Sequence, residues 1–363
     1  MADRTGIEWT DATWNPIRGC SRVSEGCRHC YAETQAARII TMDRGRGMTE
    51  GEGSYDGLLA KGGQWNGTLR MVPELLGQPY RWTAPRRIFV NSMADLFHEA
   101  VPFEYIAAVF AVMAVTTRHT YQVLTKRPQR MLDFFKWVDD FESVFPGDRV
   151  MEHWPKHLEW QPRAAGRGGY DNCGPAWPPE NVWLGVSVEN QATADERVPL
   201  LLQTPAAVRW VSMEPLLGPV DLSGEYLRSK LGFYPFHLPA EHRTTLVDLL
   251  DWVVVGGESG PQARPMHPSW ARALRDQCFA ADAPFLFKQW GEWAPGENVL
   301  RQRGHVRTAS LALDGQWLFG DENLSSAVGH VDDEPDLYRI GKRAAGRLLD
   351  GVQYDGYPSR PPF

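Results

Sequence analysis

Short, continuous apolar runs punctuate this chain. Residues 87–91, 121–125, 182–187, 208–212, 252–256 and 284–288 carry apolar side chains at successive positions, not alternate ones. Runs of that length and character suit strands buried on both faces of a parallel sheet. Residues 15–19, just ahead of Cys20, are the candidate first strand of the same sheet. Between the runs, apolar residues recur at helical spacing over 31–40, 104–115, 129–138, 196–202 and 269–281. The last of these follows Pro268, with Ser269 as its expected N-cap. Alternating strands and helices predict a parallel α/β architecture with right-handed crossovers. The expected fold is a full or partial (β/α) barrel of about six to eight parallel strands, with long loop insertions and a small C-terminal extension. A doubly wound open sheet is the competitor, and the pattern alone does not separate the two.

Three insertions interrupt the alternation, at 41–85, 139–180 and 222–247. Loops this long inside a compact domain are usually functional or mobile. The expected barrel region is 1–293. Residues 294–363 form the extension, in which 311–318, with Asp314-Gly315 inside it, reads as a hairpin and 337–349 as a helix.

The charge pattern narrows the function. The net charge of −7 over 363 residues excludes the global basicity of a non-specific nucleic-acid binder, while leaving room for a local basic groove. No run of about 18 apolar residues is present, so no membrane span is expected. The first residues lack a signal-peptide core, so a cytoplasmic protein is expected. The fifteen tryptophans are expected mainly in the core, with some available to stack on bases or sugars.

In the cytosol, clustered cysteines stay reduced and serve metals or catalysis. Three of the five cysteines, Cys20, Cys27 and Cys30, fall within eleven residues. Zinc sites usually close with four ligands, often as two close pairs, and here only one C-x2-C pair exists. An iron–sulfur cluster takes several thiolates from one short loop, and three thiolates on a cubane leave one iron open. The spacing favours iron–sulfur and keeps zinc, with a distant fourth ligand, in play. Cys173, in an insertion, and Cys278, on a helix, read as structural thiols.

Polar residues cluster where the expected strands end: Ser92 and Asp95; Lys126 and Arg127; Ser187, Glu189 and Asn190; Glu214; Gly256, Gly257 and Glu258; and Lys288. Parallel strands place their sites at these C-terminal ends. Glu214 ends an apolar strand and needs a partner there. Lys126 and Arg127 could bind a carboxylate or phosphate. Gly256-Gly257 reads either as a tight turn or as a close backbone approach to a ligand. His98, His119 and His267 have no place in this scheme.

The three-cysteine loop and these strand ends resemble the radical S-adenosylmethionine superfamily. More closely, Ile7-Glu-Trp-Thr-Asp-Ala-Thr-Trp-Asn-Pro16, Gly26-Cys-Arg-His-Cys-Tyr-Ala-Glu33, Asp95-Leu-Phe97, Thr125-Lys-Arg-Pro128, Gly185-Val-Ser-Val-Glu-Asn190, Ser212-Met-Glu-Pro215, Gly256-Gly-Glu-Ser-Gly260 and Phe287-Lys-Gln-Trp-Gly291 resemble an uncharacterised family common in bacteriophages and prophages. The likeness runs over about 5–293, and Gly341-Lys-Arg-Ala-Ala-Gly-Arg-Leu-Leu-Asp350 looks similar too. The chain departs from the superfamily in spacing, C-x6-C-x2-C in place of C-x3-C-x2-C, and in carrying His29 where an adenine-contacting aromatic is usual.

The resemblance implies that Cys20, Cys27 and Cys30 hold a [4Fe-4S] cluster, whose open iron binds S-adenosylmethionine. One electron from a donor such as flavodoxin or ferredoxin would then yield a 5′-deoxyadenosyl radical that takes hydrogen from a substrate. By strand order, His29, Ser92, Asp95, Ser187, Glu189, Asn190, Gly256 and Gly257 would contact the cofactor. Glu214, Glu258, Lys126 and Lys288 would touch substrate or move protons. A phage setting makes a nucleotide or DNA the leading substrate class, with a peptide or small metabolite as the other. Two further readings stay open: a zinc hydrolase or zinc-dependent nucleic-acid-binding protein, and a non-catalytic interaction protein.

Overall fold

The structure is a computed structural model that describes residues 5–140, 146–158, 176–223, 245–299, 304–324 and 336–358. Cys173, much of the 139–180 and 222–247 insertions and the end of the tail lie outside the described residues. The strands in chain order are β1 (Ala12–Trp14), β2 (Ile17–Arg18), β3 (Arg70–Met71), β4 (Arg87–Val90), β5 (Thr120–Thr125), β6 (Val182–Ser187), β7 (Val208–Met213), β8 (Trp252–Gly256), β9 (Phe285–Gln289), β10 (Trp293–Ala294), β11 (His305–Leu311), β12 (Trp317–Asn323) and β13 (Leu337–Arg339).

Seven of them make one parallel sheet in the order β1-β4-β5-β6-β7-β8-β9. The order follows the chain and never reverses. A doubly wound sheet must reverse at a switch point, so the competitor falls and the fold is a partial (β/α) barrel. The central runs are apolar throughout because both faces are covered: every residue of β6 and of β8 is buried. No helix among the described residues is long and apolar enough to cross a membrane.

Two compact units divide the chain, one of residues up to 186 together with 200–210, the other of 187–199 together with 211–358. Residues 294–358 belong with 211–293 in the second unit. β10 pairs antiparallel with β13, and β13 with β11. Backbone hydrogen bonds then tie the tail to β9 and the residue after it: the Phe287 N–H donates to the Tyr354 carbonyl and the Trp290 N–H to the Gly346 carbonyl, both at 3.1 Å.

In the first unit, the first strand of the sheet lies earlier than expected. Ala12–Trp14, not 15–19, pairs parallel with β4. Pro16 has no N–H for a ladder and ends the strand. The chain then leaves the sheet, and Ile17–Arg18 pairs antiparallel with Arg70–Met71. The helix Tyr31–Gly45 outruns its predicted end at 40. Phe103–Val115 and Pro128–Asp139 lie where the periodicity put them, the latter with Pro128 in its first turn. Trp9 and Trp210, both buried, meet edge-on at 5.4 Å. Gly185 lies directly under the Trp210 ring, where an added Cβ would come within 2.5 Å of ring atoms. The 41–85 insertion folds back onto the unit: Tyr55, Leu58 and Trp65 form one apolar cluster with Ala32, Ala36 and Met93.

The helix expected over 196–202 spans Gln191–Gln203, and its residues up to Pro199 belong to the second unit. The helix Pro268–Ala280 is capped by His267, whose ring nitrogen accepts from the Ser269 N–H at 3.2 Å; Ser269 is not the cap. The hairpin is β11 and β12, turning at Asp314-Gly315. The expected 337–349 helix is instead β13 followed by the single turn Lys342–Ala345. Gly341 (φ 87°) and Gly346 (φ 69°) flank that turn in left-handed backbone, which a continuous helix does not permit.

Replacing Gly185 by Ala should overpack the Trp210 contact and cost about 1–3 kcal/mol, read as a lower denaturant midpoint. A pH effect should also arise in the first unit. Burial lowers the pKa of His119 to about 4, the carbonyls of Pro79 and Trp82 oppose the shift, and Arg118 and Arg86 add to it. A histidine with a depressed folded pKa binds its proton first in the unfolded chain. Stability should therefore fall as pH drops from about 6.5 to about 4, with a slope of at most ~1.4 kcal/mol per pH unit. His119→Gln should flatten that part of the stability profile, measured by denaturant unfolding at stepped pH.

Candidate metal centre and strand-end clusters

Each unit carries its own polar cluster at its strand ends. In the first, residues 20–30 form a loop between β2 and the helix Tyr31–Gly45, with a turn of 3-10 helix at Glu25–Cys27. All three cysteines are free thiols and partly exposed. Cys20 and Cys30 rest against the apolar cluster that the 41–85 insertion completes. Cys30 is the N-cap of the helix that follows, at its positive end.

The three thiols are close enough to feel one another's charge. Burial pushes the Cys20 thiol up to about 12; Asp95 raises it further, Arg127 opposes, and Cys30 and Cys27 add their own repulsion. Cys30 is also raised, first by burial, while the N–H groups of Ala32 and Glu33 pull it back and Cys27 raises it. Two guanidinium groups supply compensating charge. Arg22 pairs with the buried Glu33 at 2.7 Å and donates to the Arg28 carbonyl at 3.1 Å, which folds the loop on itself. Glu33 also accepts from the Trp65 N–H at 2.9 Å, tying the loop to the insertion.

Arg127 is the second guanidinium. It is buried and reaches Asp95 at 3.1 Å, Glu99 at 3.0 Å and the Ser21 carbonyl at 3.1 Å. Asp95, one of the expected cofactor contacts, is buried in a full set of internal hydrogen bonds. Its carboxylate accepts from the Thr125 hydroxyl at 2.7 Å and from the N–H groups of Phe97 at 3.0 Å and Lys126 at 3.1 Å, besides Arg127. Ser92 donates to Asn15 at 3.1 Å and its carbonyl accepts from the Tyr31 hydroxyl. His29 lies partly exposed in the turn between Cys27 and Cys30, and Lys126 is half-buried. His98 accepts from the Ala100 N–H at 3.1 Å through Nδ1, so Nε2 carries the proton and donates to the Ser21 hydroxyl at 2.8 Å. Burial first, then Arg127, lowers its pKa and keeps the ring neutral. Among the described residues, no three His, Cys, Asp or Glu side chains are gathered as a ready single-ion site.

The second unit brings together Glu214, Lys288, Ser212 and Ser187. Lys288 Nζ meets Glu214 Oε1 at 2.8 Å, and both side chains keep some exposure, 19% and 14%. The Ser212 hydroxyl donates to Glu214 Oε2 at 3.1 Å, and the Ser187 hydroxyl reaches the Glu214 carbonyl at 3.5 Å. Gly256 leaves room for Glu214, since a Cβ there would sit 2.7 Å from Oε1.

The other strand-end residues have internal partners. Glu189 is buried against Arg197 at 3.0 Å, and Arg197 donates to the Ser187 carbonyl at 2.8 Å. Asn190 caps the helix Gln191–Gln203, accepting from the Thr193 N–H at 3.1 Å. Glu258 accepts the Arg264 side chain at 2.6 and 2.9 Å and the Arg264 N–H at 2.8 Å. Gly257 is packed against the Trp290 carbonyl, where an added Cβ would fall at 1.9 Å.

Reasoning from sequence named Arg127 beside Lys126 as an anion-binding pair but gave only Lys126 a catalytic role, and it did not reach Arg22, Ser21, Arg197 or Arg264. A signal was available for two of these. Arg197 and Arg264 follow their carboxylates by eight and six residues, within reach of a chain that turns back after its strand. No curated protein and no solved structure matches the chain. Residues 4–358 match the family described as "Protein of unknown function (DUF5131)", and the chain belongs to that family.

Proposed function

We propose that this protein is a radical S-adenosylmethionine enzyme in which Cys20, Cys27 and Cys30 hold a [4Fe-4S] cluster. The observation that carries the reading is the loop itself: three free thiols within eleven residues, Cys20 and Cys30 on an apolar seat, and Arg127 facing the Cys20 sulfur at 4.0 Å. A cluster fits this donor set. Thiolates must lose their protons to bind, and buried thiols do so only when metal and positive charge replace the proton. When bound, the cluster and S-adenosylmethionine supply one-electron reductive cleavage and hydrogen-atom abstraction from substrate.

The chain's own residues would do the rest. Cys20, Cys27 and Cys30 ligate, leaving one coordination position open. Arg22 and the N-terminus of the helix Tyr31–Gly45 offset the thiolate charge. Cofactor contact falls to the partly exposed His29 and Ser92, because Asp95 is occupied with holding Arg127. In the second unit, Glu214 and Lys288 are a close acid–base pair that can bind a polar substrate group or pass a proton. A nucleotide or nucleic-acid base is the substrate class put forward, on the tryptophan- and arginine-containing 139–180 insertion.

Anaerobic protein reconstituted with iron and sulfide and then reduced should give a [4Fe-4S] electron paramagnetic resonance signal that changes on adding S-adenosylmethionine. Stoichiometric zinc with no cluster would end this reading. Cys27→Ala should lose the iron while staying folded, with the melting temperature of metal-free wild type. Glu214→Gln and Lys288→Met should keep full iron content and substrate-free formation of 5′-deoxyadenosine, while losing product formation once a substrate is found.

A further inference from the structure

Arg127 has a role that ligand counting misses. It is 6% exposed and lies between the end of β5 and the helix Pro128–Asp139. All its N–H groups are directed. Nε donates to both Glu99 oxygens at 3.0 Å. Nη1 donates to Asp95 Oδ2 at 3.1 Å and faces Cys20 Sγ at 4.0 Å. Nη2 donates to the Ser21 carbonyl at 3.1 Å and the Ser21 hydroxyl at 2.8 Å. One planar group thus joins the Asp95–Glu99 turn to the first two residues of the cysteine loop.

Cys20 is the thiol that needs such a hold. Cys27 and Cys30 are fixed to each other by a short turn and by the helix that starts at Tyr31. Cys20 lies seven residues before Cys27, and closing a longer loop on a metal costs more chain entropy. The Arg127 fork ends that freedom in advance: it anchors residue 21 by two hydrogen bonds and presents an N–H to the sulfur of residue 20. We infer that Arg127 is the positioning residue of the three-thiolate site, fixing Cys20 for ligation and donating to its sulfur. This rests on the proposal that the three cysteines bind metal together.

The geometry also says which replacements fail. Lysine has one nitrogen and cannot span Glu99, Asp95 and Ser21 at once, so the conservative change does not conserve the function. Glu99 is the exposed member of the set, 65% exposed, and can be altered with little disturbance of the core.

Cobalt(II) is the probe. Its thiolate charge-transfer absorption scales with the number of bound cysteines, so titrating metal-free protein reads ligand count and affinity together, whichever metal the site holds in the cell. Cys20→Ser sets the two-thiolate level. Arg127→Met and Arg127→Lys should both fall to that level and bind cobalt about 10–100-fold more weakly, the usual cost of losing a group that orients a ligand. Glu99→Gln and Ser21→Ala should weaken binding in the same direction by smaller factors.

In iron-loaded protein, Arg127→Met should also lower the cluster reduction potential, because a hydrogen bond to the sulfur is lost. A full three-thiolate band at wild-type affinity in Arg127→Met overturns the inference and leaves the metal site standing. If Arg127→Met does not fold, wild-type affinity in both Glu99→Gln and Ser21→Ala overturns it equally. A wild-type protein whose cobalt spectrum matches Cys20→Ser, and a Cys20→Ser protein that still takes up the full iron–sulfur cluster, together remove the three-thiolate site, and the role of Arg127 with it.

Discussion

The buried pair of Arg127 and Asp95 is the constraint on which the arrangement of the first unit rests. Burying two charges is expensive, and their attraction repays the cost only when every remaining donor and acceptor is satisfied. Here both are. Asp95 takes a hydroxyl and two backbone N–H groups besides the guanidinium. Arg127 spends its remaining N–H groups on Glu99 and Ser21. The pair therefore fixes directions as well as distances. The turn after β4, the end of β5 and the start of the cysteine loop share one hydrogen-bonded centre. The second unit repeats the device with Glu189 and Arg197, which pin the end of β6 to the helix Gln191–Gln203.

This use of charge shows what the sequence leaves out about the strand ends. Acidic residues at the ends of apolar strands look like site residues, for the cofactor at Asp95 and Glu189 and for the substrate at Glu258. All three also hold arginines from nearby segments, and the arginines hold the loops. Glu214 differs because its partner Lys288 comes from another strand and the pair remains partly open to solvent. The distinction depends on where a chain returns after its strand, and single positions do not encode that.

The sheet was legible because parallel strands buried on both faces leave continuous apolar runs, and six of the seven had them. The first strand was misplaced. Three residues long, it carries Thr13 between two buried side chains and offers no run to detect. Ile17, inside the 15–19 stretch, lies beyond Pro16 in a different pairing. The tail was misread for a related reason: Gly341 and Gly346 stand exactly five residues apart within an otherwise helical-looking stretch, and only their positive φ angles reveal the two interruptions. The cysteine loop was plain from spacing. Its seat on Tyr55, Leu58 and Trp65 was not, because those residues belong to an insertion that reads as a solvated loop.

The joint where β8 and β9 leave the sheet has a mechanical consequence. A Cβ on Gly257 would strike the Trp290 carbonyl, and one on Gly291 would strike the Glu258 carbonyl, at 1.9 and 2.0 Å. The contact is reciprocal, each glycine making room for the other strand's backbone, and the Glu292 N–H closes it by donating to Glu258 at 3.0 Å. Two chain segments this close have no slack between them. A side chain at either glycine would therefore wedge the two segments apart and break the backbone contact that ties Glu258 to the strand end at Trp290.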